Sequence, residues 1–196
     1  MSAMTEDSEA LARFREEAIE WAVGGRGQEI VDAAAMALAE GLDSPSLRVL
    51  AGAPHSTADE EAAELAPLAF RELGLDVKQR LSPEAFVDGA RQEAQRLLDG
   101  VITERELARR LAPFCVSAGY PRELSTWIGL DDYYDLIESG VINASPSVLD
   151  KDVLAAAEDL VNHRQGRPAT IASILQASAT ESPPRKSWLS RILRRR

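Results

Sequence analysis

The chain has 196 residues, 45% of them hydrophobic and 28% charged, and a formal net charge of −10 at pH 7. This composition is that of an ordinary globular protein and excludes a chain too polar to form a core, while the length suits one domain. No stretch approaches the ~20 apolar residues of a membrane span, and the N-terminus lacks the basic and apolar regions of a secretory signal. We therefore expect a cytoplasmic protein.

The first part of the chain is predicted to be helical almost throughout. Ser8 can cap a helix whose apolar residues recur at helical spacing up to Gly24, and a second helix is expected over residues 28–40. Ser44 and Pro45 combine a capping side chain with a proline at the first helical position, which indicates the start of a short third helix.

Two longer helices are predicted to follow. One extends from Thr57 to Gly74, with Pro67 inside it as a kink or a break, because proline cannot donate the backbone hydrogen bond of that turn. The next begins at a second Ser-Pro pair, residues 82–83, and ends at Asp99 before a glycine.

The remaining patterns complete an all-α prediction. Thr103 and Glu106 have the spacing of a capping box. Residues 121–139 are expected to be helical in pieces, and an amphipathic helix is expected over about 150–165. Because no convincing strand pattern is present, we predict an irregular bundle of about seven or eight short helices that forms one domain over residues 1–175.

The C-terminus differs from this domain in composition and in charge. Residues 176–187 are poor in large apolar side chains and contain two adjacent prolines, which predicts a linker. The last twelve residues hold six of the 22 basic residues and no acid, so the preceding 184 residues carry 16 basic side chains against 32 acidic ones. If residues 188–196 form a helix, this flexible tail has an apolar face of Trp188, Leu189, Ile192 and Leu193 and a basic face of Arg191, Arg194, Arg195 and Arg196.

The densest acid lies in residues 123–159, which hold nine carboxylates and one basic residue, Lys151. Aromatic side chains act as anchors in protein interfaces, and charges steer a complementary partner. This stretch is therefore a hypothesis for a surface that binds a basic protein. The alternative is a solvated helical face whose aromatic rings point into the core. The residues of the hypothetical surface are Trp127, Asp131, Asp132, Tyr133, Tyr134, Asp135 and Glu138.

Few residues suggest catalysis or metal binding. Cys115, the single cysteine, excludes an internal disulfide, and no adjacent cation lowers its pKa, which favours a buried structural thiol. Asp159 lies one turn before His163, but a zinc site needs further ligands, and helical di-iron sites use a Glu-x-x-His spacing that the chain lacks. We expect neither a metal nor a cofactor.

Residues 37–50 have the small-residue, glycine-turn and apolar spacing of a helix-turn-helix. The second helix would offer only Arg48 to DNA and meets Gly52 after about two turns, whereas a recognition helix needs several polar side chains. An acidic protein also repels the phosphate backbone. A tight corner between two helices is therefore the favoured interpretation, and nucleic acid is not expected as a partner.

The same region carries a resemblance to known proteins. It is found in residues 37–52 (ALAEGLDSPSLRVLAG), in 71–75 (RELGL) and in the Gly-Leu-Asp at 129–131, which are similar to a family of small helical proteins common in high-GC Gram-positive bacteria. The resemblance spans about residues 30–140, and a preference for Arg over Lys, 19 to 3, agrees with a GC-rich genome. The family has no assigned activity, so the resemblance implies a helical fold and supplies no catalytic residue.

Two classes of function remain as hypotheses. The favoured one is a non-catalytic interaction module, meaning an adaptor, a regulator or an immunity-type binder of a basic protein partner. Its tail would bind the anionic inner face of a membrane, insert into a partner or dock on the acidic body of its own chain. The alternative is an enzyme whose site is assembled from distant residues around His163 and Asp159, with Cys115 as a further member.

Overall fold

A computed structural model describes the backbone of residues 3–163 and the side chains of residues 9–163. Within these residues the chain forms eight α-helices and a single 3₁₀ turn at His55–Thr57, with no strand, which confirms the all-α prediction. The predicted linker and basic tail, residues 176–196, lie outside the described part. The helices are α1 (Ala3–Ala22), α2 (Gly27–Ala39), α3 (Pro45–Ala51), α4 (Ala58–Glu72), α5 (Pro83–Leu98), α6 (Glu104–Ser117), α7 (Ser125–Glu138) and α8 (Ser147–Val161).

Helix starts follow the capping chemistry that the sequence contains. Ser44 and Ser82 each accept a hydrogen bond from the backbone N–H three residues later, directly before a proline at the first helical position. Thr103 and Glu106 form the predicted capping box at the start of α6. These three predictions are confirmed because each depends on only a few neighbouring residues.

The two prolines inside helices are accommodated without a break. Pro67 lies within α4, and both it and Ala63, one turn earlier, are exposed. Pro113 lies within α6 in the same way, four residues after the exposed Arg109. A carbonyl that loses its helical hydrogen-bond partner can therefore be solvated, so proline removes one bond and does not end the helix.

Some helix boundaries differ from the predicted ones. The first helix begins at Ala3, before the predicted cap at Ser8, and the last begins at Ser147. Residues 125–138 form one continuous helix, where pieces were predicted, because the side chains at spacings of three and four along α7 are buried together against the neighbouring helices. Among the residues described, none of the helices is long and apolar enough to span a membrane.

The buried side chains form two clusters. One is enclosed by α1–α4 and includes the contacting rings of Phe14, Trp21 and Phe70, with centroids 5.8 and 5.9 Å apart for the two pairs that involve Phe70. The other is enclosed by α5–α8 and includes Trp127 and Tyr134. The described part of the chain, residues 3–163, therefore consists of two four-helix halves, each with its own interior.

Contacts along α1 and α5 join the two halves. Gly89 of α5 faces Val23 at the end of α1, and a Cβ added at Gly89 would lie 2.6 Å from a methyl group of Val23. The backbone N–H of Leu81 also donates to the carbonyl of Ala22 at 2.8 Å. The small residue at position 89 thus allows the close approach of the halves, and a single domain over residues 1–175 stays a prediction.

Candidate functional site

The carboxylates of α7 are partly neutralised by an arginine from α6. The Arg105 guanidinium contacts Asp131, Asp135 at 2.5 Å and Glu138 at 2.8 Å, three acids that lie on one face of α7. Burial alone would lower the pKa of Arg105, but hydrogen bonds to Glu138 and Asp131 raise it above its ordinary value. These acids therefore hold α6 and α7 together, and Asp132 remains exposed beside them.

The aromatic rings of the same stretch belong mainly to the core. Trp127 and Tyr134 are each 1% exposed, and the Tyr134 hydroxyl donates to an Asp150 carboxylate oxygen at 2.7 Å. Burial and this hydrogen bond raise the pKa of Tyr134. Tyr133 is half-buried and packs against the same cluster. Trp127 and Tyr134 therefore do not act as exposed anchors on the 123–159 surface, because folding already uses their apolar area.

The residues considered for catalysis do not converge. Cys115 is fully buried, as predicted, and burial raises the pKa of its thiol, which disfavours the nucleophilic thiolate. His163 is exposed beyond the end of α8 with a left-handed backbone (φ 55°), so it leaves the helical face on which Asp159 lies. Within the described residues, no three His, Cys, Asp or Glu side chains are placed to hold a metal ion.

The stretch with helix-turn-helix spacing forms the predicted tight corner. The helix that would read DNA, α3, has seven residues, and Arg48 pairs with Asp43 beside it. The buried Ser46 donates to Glu72 of α4 through its backbone N–H at 2.9 Å and its hydroxyl at 2.8 Å. The inner face of this corner is therefore occupied by contacts within the fold, and Arg48 is already paired on the exposed face.

A groove between α1 and α2 combines an apolar floor with acidic side chains. Its cavity volume is about 370 Å³. We call it the acidic groove. Met36 of α2 is 63% exposed at the groove, whereas Phe14 of α1 is buried beneath it. The exposed apolar surface of the floor comes from Met36 and the half-buried Ala33, above the buried Ala10, Phe14 and Ala37. The charged side chains around it are Arg13, Glu17, Glu29, Asp32 and Glu40.

Arg13 provides the single positive charge among these lining residues, against four carboxylates. It bridges Glu9 at 2.8 Å and Glu40 at 2.9 Å, at one end of the groove. Glu17 has no ion-pair partner among the described side chains, and partial burial followed by repulsion from nearby glutamates, Glu20 first, raises its pKa. The groove is therefore negative, and a bound cation would relieve repulsion around Glu17.

The groove could not be located from the sequence because its acids come from two separate stretches of the chain. Glu29 and Asp32 are three residues apart, and Met36 and Glu40 continue the same stripe at spacings of four. The sequence places Met36 within this acidic helical stripe, but only the packing of α1 against α2 shows that the methionine is exposed. The density of acids along the chain pointed to residues 123–159 instead.

Two other grooves have different chemistry. One of about 720 Å³ lies between α1 and α5, has mixed charge, and includes His163 in its lining. The other, of about 500 Å³, lies beside Trp21 and Phe70 and carries Lys78 and Arg80, with the Arg80 guanidinium 5.2 Å from the Trp21 ring centroid. Of the three, the acidic groove has the chemistry to bind a basic and apolar ligand. No family model, curated protein or solved structure matches the chain.

Proposed function

We propose that the protein is a non-catalytic interaction module, an adaptor, regulator or immunity-type binder, that binds a basic amphipathic helix of a partner protein in the acidic groove. The observation that carries this proposal is the combination of an apolar floor with four surrounding carboxylates between α1 and α2. In helix-in-groove recognition, apolar side chains of the ligand enter the groove and its charged side chains meet the rim. This arrangement supports a ligand that is apolar on one face and basic on the other.

The groove supplies each part of such an interface. Met36 is unbranched and flexible, so it can repack around apolar side chains of different shapes. Glu17 and Asp32 lie on opposite helices and can accept hydrogen bonds from arginine or lysine. The excess of carboxylates would speed the approach of a basic partner at low salt.

Membrane attachment and an enzymatic activity are two further proposals, and both have less support than partner binding in the acidic groove. Attachment to the anionic inner face of a membrane depends on the tail, residues 188–196, which lies outside the described residues. An enzyme around His163 and Asp159 gains no support from the geometry, since Cys115 is buried in the core while His163 is exposed at the surface. A cytoplasmic location is compatible both with binding of a partner protein and with attachment to the inner face of a membrane.

The proposal is tested by calorimetric titration with a 14-residue amphipathic peptide of leucine and arginine. The protein is the full chain with the four arginines of the predicted tail helix, at 191 and 194–196, replaced by glutamine, so that the tail cannot compete through its charge. The groove variant adds E17Q/D32N, and the control adds E123Q/D132N, which removes two exposed acids of the 123–159 stretch.

We expect the groove variant to weaken peptide binding about threefold to tenfold, since each partly exposed ion pair contributes ~0.2–1 kcal/mol. The control is expected to bind like the parent chain. Equal binding by both variants, or weakening confined to the control, would contradict the proposal. Thermal unfolding of each variant checks that the fold is unchanged.

A further inference from the structure

We infer that the chain's own tail, residues 188–196, occupies the acidic groove when no partner is bound, so that a partner must displace it. This inference rests on the proposed function, because it assigns an occupant to the same groove. The groove is the interaction surface, and the tail is the segment of matching chemistry within the chain.

The chemistry of the tail complements that of the groove. Residues 188–196 read WLSRILRRR, with four large apolar side chains, four arginines and no acid. The groove offers an apolar floor and four carboxylates, of which Glu40 pairs with Arg13 and Glu29 pairs with Arg26. Glu17 and Asp32 are the two that lack an arginine or lysine partner among the described side chains. Each feature of the segment therefore has a counterpart in the cavity, which is the pattern expected for helix-in-groove recognition.

The dimensions also agree. A helix of nine residues is about 13 Å long at 1.5 Å per residue. The lining of the groove extends from Ala10 to Glu17 on α1 and from Glu29 to Glu40 on α2, which correspond to about 10 and 16 Å along the two helix axes. The tail as a helix would therefore fill the groove without extending far beyond it.

The described chain ends close to the helix that forms one wall of the groove. His163 lines the groove between α1 and α5 together with residues of α1, and Glu17 belongs to the lining of both that groove and the acidic one. The predicted linker over residues 176–187 would span roughly 19 Å as a flexible chain, about two thirds of the length of α1. Docking within one molecule then benefits from an effective concentration on the order of millimolar.

The other acidic surface is a weaker competitor for the tail. Asp131, Asp135 and Glu138 already bind Arg105, and the large rings beneath them are buried in the core. The surface of α7 offers Trp188 and Ile192 less apolar contact, since its exposed large hydrophobic side chain, Leu136, is 36% exposed against 63% for Met36 in the acidic groove. The acidic groove offers Glu17 and Asp32, which have no arginine or lysine partner among the described side chains, next to the exposed Met36.

The inference is tested by quenching of Trp188 fluorescence with acrylamide in the full chain. Trp21 and Trp127 are buried, so acrylamide quenches them little, and a Trp188→Phe chain measures the background that they contribute. We expect the Stern–Volmer constant of Trp188 to be several-fold below that of a free peptide of residues 185–196. We expect it to rise toward the peptide value in E17Q/D32N and in 0.5 M salt, but not in E123Q/D132N.

Several results would overturn the inference. One is a Trp188 in the full chain that is as accessible as in the free peptide. A second is protection that increases with protein concentration, which would place the tail on a second copy. A third is protection that requires vesicles of phosphatidylglycerol and phosphatidylcholine, which would make the tail a membrane segment.

Peptide titration separates this inference from the proposed function. If the tail occupies the groove, the leucine–arginine peptide binds the natural chain several-fold more weakly than the chain with glutamines in its tail. Equal affinity for both chains, with binding that still depends on Glu17 and Asp32, would overturn tail docking and leave the proposed function standing. Groove-dependent protection of Trp188 without any peptide binding would overturn the proposed partner interaction and leave tail docking standing.

Discussion

Two acidic regions of this protein use their carboxylates for different purposes. On α7, three acids surround Arg105 from the neighbouring helix, and the large aromatic rings of the same stretch are buried. In the acidic groove, Glu17 and Asp32 border a cavity with an apolar floor. The density of acid along the chain is therefore a poor guide to binding. What distinguishes a binding surface is charge that other helices leave unneutralised, next to apolar area that the core leaves exposed.

The comparison is tested most strongly at Trp127. If this ring belongs to the core and not to an interface, Trp127→Ala creates a cavity and lowers the free energy of unfolding by about 3–5 kcal/mol. Urea unfolding followed by circular dichroism measures the change. In contrast, Met36→Ala in the acidic groove should change stability by less than about 1 kcal/mol, because that side chain is mostly exposed. Similar losses for the two variants would contradict the distinction between the regions.

A smaller effect is expected at Arg105. Replacing it by methionine leaves three carboxylates facing one another and removes a guanidinium that lies 5.2 Å from the Tyr134 ring centroid. Because this side chain is 27% exposed, solvent screens part of the loss, and we expect about 1–2 kcal/mol lower stability in urea unfolding. Arg109→Met, at an exposed position of the same helix, is the matched control and should stay within about 0.5 kcal/mol of the natural chain. An Arg105 variant as stable as the control would show that the ion cluster contributes nothing to the fold.

The smallest effect is a pH dependence of opposite sign at two glutamates. Partial burial and neighbouring acids raise the pKa of Glu17, so its ionised form is less favourable in the folded than in the unfolded chain. Glu17→Gln should therefore raise stability at pH 7, by less than about 0.5 kcal/mol because the side chain remains exposed, and the gain should vanish below about pH 4. Thermal unfolding between pH 3 and 8 measures both the gain in stability at pH 7 and its disappearance in acid.

Glu72 provides the opposite case. Hydrogen bonds from the Ser46 backbone N–H and hydroxyl lower the pKa of Glu72, so the stability it contributes is present above the ordinary pKa of glutamate and is lost as the pH falls. Glu72→Ala should lower the melting temperature at pH 7, and the deficit should shrink in acid. If Glu17→Gln also lowers stability at pH 7, as Glu72→Ala is expected to do, the electrostatic description of the acidic groove is contradicted.

Local chemistry explains which parts of the fold could be predicted from the sequence. The caps at Ser44, Ser82 and Thr103 were predictable because a side chain bonds a backbone group three residues away. The continuation of α4 through Pro67 was not predictable, because it depends on whether solvent reaches the carbonyl one turn earlier. Propensity and periodicity thus indicate where helices lie, and the solvent exposure of the neighbouring turn decides whether a proline inside a helix is tolerated.

The candidate site was beyond the reach of the sequence for a geometric reason. Arg105 is separated from the acids that it neutralises by 26 to 33 residues, so the charge of α7 could not be discounted in advance. The acidic groove likewise joins the stripe of residues 10–17 on α1 to that of 29–40 on α2. Only the packing of helices reveals which charges are neutralised and which remain available.

The most direct test of the central claim is to map the peptide onto the protein by nuclear magnetic resonance. The isotope-labelled chain with glutamines in its tail is titrated with the leucine–arginine peptide, and the backbone amide shifts of α1 and α2 are compared with those of α7. We predict saturable shift changes at groove residues such as Ala10, Ala33 and Ala37, with Asp131 and Glu138 unchanged. Shift changes centred on α7 with an undisturbed α1–α2 pair would contradict the claim that the acidic groove is the binding site.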